Sequence, residues 1–206
     1  METLSAPSTP EGLLALARAG NGDALGQLLA LYHNYLWLLA RLQVRRRLQG
    51  KVDPADLVQE TFLKAHRHFV TFRGASEREW TAWLRQILAT SAANLVRHYL
   101  GSRGRDPRLE REMAESVDES SRFLEGGFGL VQSTPSQQAV RREQAVLLAE
   151  ALARLPEDHR EAVILRHLEG LTFPEVAERM GRTVDSVKKL WARGLARLRD
   201  LMRSAS

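Results

Sequence analysis

The chain has 206 residues, of which 44% are hydrophobic and 27% are charged, a balance typical of folded globular proteins. It contains no cysteine, which excludes disulfides, thiol nucleophiles and cysteine-ligated metal sites. The formal net charge of +5 suits a partner that carries phosphates or carboxylates. No apolar run reaches the roughly 18 residues of a membrane span. We therefore predict a soluble, cytoplasmic protein with no membrane partner.

Apolar residues recur at spacings of three and four through most of the chain, which is the period of an amphipathic helix. Strand-like alternation is absent, so the predicted fold class is all-α. In the first half we predict four helices, at 10–19, 22–49, 54–70 and 77–100. Asp53, followed by Pro54, predicts the N-terminal cap of the third of these helices. Ser76 and Glu79 predict a capping box at the start of the fourth.

The helical period fades after Gly101, where glycine, proline and charged residues predominate. We predict a flexible linker over 101–137 that contains only a short helix near 108–115. The period then returns and predicts four further helices. The sequence thus favours two small helical domains, 10–100 and 138–206, joined by this linker.

A helix-turn-helix is predicted between Phe173 and Leu190, in the sequence FPEVAERMGRTVDSVKKL. Ala177 is small where two helices must cross, and Gly181 can adopt the positive φ that ends the first helix. Thr183 can cap the second helix, which in such a unit lies in the major groove of DNA. The residues of this second helix that we predict to contact DNA are Asp185, Ser186, Lys188, Lys189, Ala192, Arg193 and Arg197.

The predicted helix that begins after Asp53 has two different faces. One carries a stripe of core residues, which are Val58, Phe62, Ala65 and Phe69. The other face is polar and carries Asp56, Gln59, Glu60 and Lys64. Taken alone, this polar face is typical of a solvated helix surface.

Five motifs in chain order nevertheless resemble those of one family. They are DLVQETFLKA from Asp56, FRG from Phe72, WLRQI from Trp83, LPEDHREA from Leu155 and the helix-turn-helix. Together they resemble the extracytoplasmic-function (ECF) sigma factors of the sigma-70 family, over nearly the whole chain. The resemblance implies a non-enzymatic protein that binds core RNA polymerase and directs initiation at promoters with −35 and −10 elements.

The resemblance also implies roles for particular residues. Asp56, Gln59, Glu60 and Lys64 would dock on the clamp coiled coil of the polymerase β′ subunit. Melted −10 DNA would be held by Phe72, Arg73, Thr90, Asn94 and Arg97. The second domain would read the −35 element, chiefly through Lys188, Lys189 and Arg193. The implied partners are promoter DNA, the β′ clamp and β flap of polymerase, and an anti-sigma factor.

Alternatives remain at the level of the sequence. Phe72 is equally explained as a core residue, and we interpret Trp80 and Trp83 as packing residues. A transcriptional regulator that binds DNA as a dimer would also explain the helix-turn-helix, but not the surface from Asp56 to Lys64.

We predict no metal site and no cofactor. His66 and His68 lie two positions apart, which places them about 200° apart around a helix and prevents them from sharing one ion. No glycine-rich phosphate loop follows a strand, and no residues assemble a nucleophile with a base.

Overall fold

The computed structural model describes residues 9–48, 52–99, 106–126 and 138–205. The secondary structure of these ranges is helical and contains no strand, which confirms the all-α class. The contacts divide the chain into two compact units, Met1–Ser121 and Arg122–Ser206.

The first unit is built from five helices and most of a sixth. They are α1 Pro10–Arg18, α2 Gly22–Leu31, α3 His33–Leu48, α4 Pro54–His68, α5 Glu77–Tyr99 and α6 Pro107–Glu125. A single 3₁₀ turn, Phe69–Thr71, follows α4.

The predicted caps are confirmed. Asp53 Oδ1 accepts a hydrogen bond from Ala55 N at 2.8 Å, and Ser76 Oγ accepts one from Glu79 N at 3.3 Å.

The core of this unit lies among α3, α4 and α5, which contact one another pairwise. Its largest residues without exposed surface include Leu36, Leu39, Leu57, Leu84 and Trp80. Burying a side chain of this kind contributes about 1.5–3 kcal/mol, so this cluster holds the three helices in fixed positions.

The single helix predicted over 22–49 is wrong, because the chain turns at Tyr32. Tyr32 has φ −101° and ψ 3°, and it separates α2 from α3. Its ring is buried, and its hydroxyl donates a hydrogen bond to Glu77 Oε1 at 2.8 Å. Burial, reinforced by the nearby Glu77 carboxylate, raises the pKa of Tyr32. The apolar period continues through the turn, so periodicity alone did not reveal it.

The linker predicted over 101–137 is also wrong in part, because α6 occupies much of it and extends well beyond 108–115. Asp106 caps this helix by accepting a hydrogen bond from Arg108 N at 2.9 Å. Met113 and Val117, four residues apart, have no exposed surface. The many charged residues around this stripe mask its period in the sequence. The remaining parts of the predicted linker, 101–105 and 127–137, lie outside the described residues.

The second unit contains the four predicted helices. They are α7 Gln138–Ala153, α8 Glu157–Val163, α9 Phe173–Met180 and α10 Val184–Ala205. One π-helical turn, Ile164–Leu168, continues α8. α10 packs against α7, α8 and α9, and Leu148, Leu152, Val163 and Leu198 have almost no exposed surface.

The crossing of α8 and α10 depends on Gly194. A Cβ atom at this position would lie 2.9 Å from Val163 Cγ2 and 3.1 Å from His159 O. Both distances are shorter than ordinary van der Waals contacts, so a side chain here would force Val163 or the α8 backbone at His159 to shift.

We therefore expect Gly194→Ala to lower the free energy of unfolding of the second unit by about 1–3 kcal/mol, as overpacking does in other cores. Urea unfolding followed by circular dichroism measures the change. The matched control is Gly26→Ala within α2, where a Cβ would meet no atom within 4 Å. This control should preserve or slightly increase stability, because alanine is the better helix former. Equal effects of the two substitutions would contradict the close crossing.

Candidate nucleic-acid and polymerase interfaces

The polar face of α4 lies on the surface of the first unit. Asp56, Gln59 and Glu60 are exposed, as the sequence predicted. Lys64 is only partly exposed, because its Nζ atom lies 3.2 Å from Glu60 Oε1 and donates a hydrogen bond to Ser91 Oγ at 3.0 Å. Lys64 therefore links α4 to α5 and steadies Glu60.

An open groove of about 430 Å³ lies beside this polar face. Its walls are mostly apolar and comprise Leu29, His33, Ala55, Val58, Gln59, Phe62, Leu63 and His66. Leu63 is 46% exposed, which is high for a leucine in a helix that packs on two others. Gln59 belongs to both the polar face and the groove. An apolar groove with a polar rim is typical of protein interfaces. The sequence analysis missed it, because its wall combines residues from α2, α3 and α4.

Phe72 packs as a core residue in this structure, which supports the alternative to a DNA contact, and its contact with DNA stays a prediction. Only 9% of Phe72 is exposed. Its ring centroid lies 4.8 Å from that of Trp83 and 5.4 Å from that of Trp80. Little of the ring is therefore accessible in this structure. Trp80 is fully buried, which confirms its packing role.

The loop after Phe72 is fixed by Glu79. The Glu79 carboxylate accepts hydrogen bonds from Ala75 N at 2.9 Å, from Ser76 N at 3.1 Å and from Ser76 Oγ at 2.8 Å. These bonds, led by that from the Ala75 amide, hold the pKa of Glu79 below its ordinary value. Arg18 from α1 donates to the carbonyl of Gly74. These hydrogen bonds fix the loop that carries Arg73. The Arg73 side chain is exposed.

Thr90, Asn94 and Arg97 share one face of α5, since they are spaced by four and three residues. We call this the strand face. Asn94 is exposed, and Thr90 is partly exposed with its hydroxyl donating to Gln86 O at 2.9 Å. Arg97 donates to Asn94 Oδ1, and its Nη1 atom lies 3.1 Å from Glu110 Oε1 of α6. The structure brings the three predicted residues together, but Arg97 is already paired with an acid.

The helix-turn-helix has the predicted geometry. Thr172 N and Thr172 Oγ1 donate to Glu175 Oε2 at 2.7 Å and 2.6 Å, which forms the capping box of α9. Gly181 ends α9 in the left-handed region, with φ 61° and ψ 37°. Thr183 Oγ1 accepts a hydrogen bond from Ser186 N at 3.2 Å and caps α10. The predicted turn at Gly181 and the predicted cap at Thr183 are confirmed.

The outer face of α10 presents the residues that the sequence assigned to DNA. Asp185, Lys188, Lys189, Ala192, Arg193 and Arg197 are exposed, and Ser186 is partly exposed. The opposite face is anchored by Val187, which has no exposed surface and packs with Leu165 and Val176. The amphipathic pattern of α10 therefore directs the predicted residues outward.

Phe173 is a neighbour of this face that sequence reasoning missed. Lys188 Nζ lies 5.9 Å from the centroid of the Phe173 ring, and Arg166 Cζ lies 5.3 Å from it. Trp191 contacts the same ring edge-on at 5.3 Å between centroids. An aromatic face attracts cations, so Phe173 holds the Lys188 ammonium near one position.

Trp191 has a packing role. Its ring stacks on His167, with 5.9 Å between the ring centroids. Burial, with a smaller contribution from the charge of Arg166, lowers the pKa of His167.

Within 9–48, 52–99, 106–126 and 138–205, no group of three or more His, Asp or Glu side chains is arranged to hold a metal ion. In the same residues, no helix has the length and hydropathy needed to cross a membrane.

Known proteins show the family of the chain. Sigma-70 region 2 matches residues 31–105, and Sigma-70, region 4 matches residues 145–198. The chain is 31% identical over 180 residues to the ECF RNA polymerase sigma-E factor of Haemophilus influenzae, covering 87% of this chain and 88% of that protein. It is 32% identical over 187 residues to the ECF RNA polymerase sigma-E factor of Escherichia coli K12, covering 90% of each. The chain belongs to the ECF sigma factors of the sigma-70 family, and it directs promoter-specific transcription.

A solved structure is also similar. It is the structure of CnrH in complex with the cytosolic domain of CnrY, which is 26% identical and covers 96% of this chain and 99% of that one. Its TM-score is 0.36, so the superposition adds nothing to the family assignment.

Proposed function

We propose that the polar face of α4 docks on the clamp coiled coil of the polymerase β′ subunit. The exposure of Asp56, Gln59 and Glu60 supports this role, as does the apolar groove beside them. Lys64 contributes by steadying Glu60 at 3.2 Å. The acidic rim would meet basic residues of the partner, while Leu63 and Phe62 would bury apolar surface.

Melted −10 DNA would bind the strand face of α5 together with Arg73 on the adjacent loop. Thr90 and Asn94 offer a hydroxyl and an amide to base edges, and the two arginines offer donors to phosphates. Phe72 would act indirectly by anchoring the loop that carries Arg73.

The −35 element would be read by the outer face of α10 in the major groove. The observation that carries this proposal is the geometry of α9 and α10, in which Gly181 ends one helix and the next presents its polar face outward. Lys188, Lys189 and Arg193 would contact base edges, and Arg197 would contact phosphate. Asp185, Ser186 and Ala192 lie on the same exposed side and complete the contact surface. The protein would perform no catalytic step, because RNA synthesis belongs to polymerase.

We expect the double charge reversal Asp56→Lys/Glu60→Lys to weaken binding to core RNA polymerase by about 10- to 100-fold, since like charges would then face each other in the interface. Fluorescence anisotropy with labelled full-length protein measures the affinity. Glu115→Lys/Glu143→Lys is the matched control, because it makes the same change in charge at two exposed positions inside other helices. An equal loss in both variants would contradict the assignment of the α4 surface.

We also expect Phe173→Leu to weaken binding to a −35 duplex by about two- to fivefold, which corresponds to the loss of one exposed cation–π contact. Electrophoretic mobility shifts measure this change for the full chain. The loss should disappear in a Lys188→Ala background, because the contact is then already absent. If Phe173→Leu causes the same loss in both backgrounds, the ring supports the fold only and does not position Lys188.

A further inference from the structure

α6 is attached to the first unit by specific polar contacts. Ser116 Oγ donates to Gln43 Oε1 at 2.9 Å, and Gln43 Nε2 donates to Ser120 Oγ at 3.3 Å. Only 1% of Gln43 is exposed, so the hydrogen bonds from α6 satisfy an amide that would otherwise be buried at a cost. Asp118 Oδ1 lies 2.7 Å from Arg85 Nε of α5. These contacts fix the register of α6 against α3 and α5.

The charge of α6 is opposite to that of the whole protein. Its acidic residues outnumber its basic residues and are Glu110, Glu112, Glu115, Asp118, Glu119 and Glu125. Both ion pairs that α6 makes with α5 among the described residues join an acid of α6 to an arginine of α5. An acidic helix thus lies against the element that we assign to DNA.

One of these pairs occupies the strand face directly. Arg97 Nη1 lies 3.1 Å from Glu110 Oε1, and the two side chains are only 14% and 20% exposed. The guanidinium also donates to Asn94 Oδ1 on its own helix. The arginine that would hold a phosphate therefore has its charge neutralised and most of its surface covered.

The Arg97–Glu110 pair is one of several contacts that hold α6 in place. Met113 and Val117 anchor the helix through fully buried side chains. The bonds of Ser116 and Ser120 to Gln43 anchor it as well. The Glu110 carboxylate can therefore leave Arg97 without releasing these other contacts.

We propose that α6 is a built-in competitor of melted −10 DNA, in which the Glu110 carboxylate occupies the guanidinium of Arg97 that a phosphate would otherwise bind. The proposal rests on the proposed role of Arg97 in strand binding. Carboxylate and phosphate oxygens use the same N–H donors of arginine, so one must leave before the other binds. The free protein consequently binds single-stranded DNA more weakly than it would if the Glu110 carboxylate did not contact Arg97.

Glu110→Gln tests this competition in the full chain. The probe is a fluorescein-labelled pool of random-sequence single-stranded DNA, because a phosphate contact does not depend on sequence. We expect Glu110→Gln to tighten binding about three- to fivefold, in line with the loss of one competing ion pair. Glu115→Gln is the control, since it makes the same change in charge at an exposed position of the same helix. Fluorescence anisotropy measures both affinities, and circular dichroism verifies folding.

Glu110→Asp provides a second variant that keeps the net charge. Its side chain is one methylene shorter, which moves the carboxylate away from Arg97, so it too should tighten binding. A gain in this variant cannot come from net charge. It also keeps the proposal testable if Glu110→Gln fails to fold.

Arg97→Gln distinguishes two ways in which the proposal can fail. Either Glu110 does not compete with DNA for Arg97, or Arg97 does not bind single-stranded DNA. We expect this substitution to weaken DNA binding and to abolish the gain from Glu110→Gln. If Arg97→Gln weakens binding but neither Glu110 variant tightens it, the competition is wrong and the strand assignment stands. If Arg97→Gln leaves binding unchanged, the strand assignment fails, and the competition fails with it. If Glu110→Gln and Glu115→Gln tighten DNA binding equally and Glu110→Asp does not tighten it, the change in affinity comes from net charge, and the proposal is overturned.

Discussion

The burial of one face of α4 is the constraint on which the first unit depends. Leu57, Val58 and Ala65 have almost no exposed surface, and α4 contacts both α3 and α5. Because helical geometry fixes the angle between residues, this burial forces Asp56 and Glu60 outward. The same packing holds α5 in place, and the hydrogen bond from Lys64 to Ser91 ties the two helices at the surface. The positions of the polar face of α4 and of the strand face of α5 therefore both depend on the apolar packing of α4.

The two units present their basic residues differently. On α10, Lys188, Lys189 and Arg193 are exposed, so their field reaches solvent and can attract DNA from a distance. On α5, Arg97 is largely covered and paired with Glu110. If α10 and α5 bind DNA as proposed, duplex DNA would be attracted to α10 more strongly than single strands would be to α5. That order suits a protein that meets duplex DNA before the strands separate.

Local signals in the sequence predicted the features that depend on local chemistry. Caps at Asp53 and Thr183 and the left-handed Gly181 are each determined by one or two residues, and the structure has all three. The outward direction of the α10 residues followed from helical period alone. Because these signals are local, the cap and the turn of the helix-turn-helix were predicted correctly from the sequence.

The features that the sequence did not reveal depend on partners distant in the chain. The turn at Tyr32 is stabilised by Glu77, although the apolar period runs through it without a break. α6 begins at a local cap, Asp106, but its length depends on the burial of Met113 and Val117, and no apolar period in the sequence predicted that length. Phe72 is buried because Trp80 and Trp83 of the next helix close over it. Contacts between residues so far apart in the chain cannot be predicted from the local pattern of a single sequence.

The most direct test of the account is transcription by sigma-free core RNA polymerase on a promoter library, with and without the purified full chain. The account predicts a stable complex with core polymerase and transcripts that depend on the added chain. Their start sites should share a common −35 and −10 sequence upstream. The account would be contradicted if the chain formed no complex with core polymerase and instead bound a palindromic duplex as a dimer.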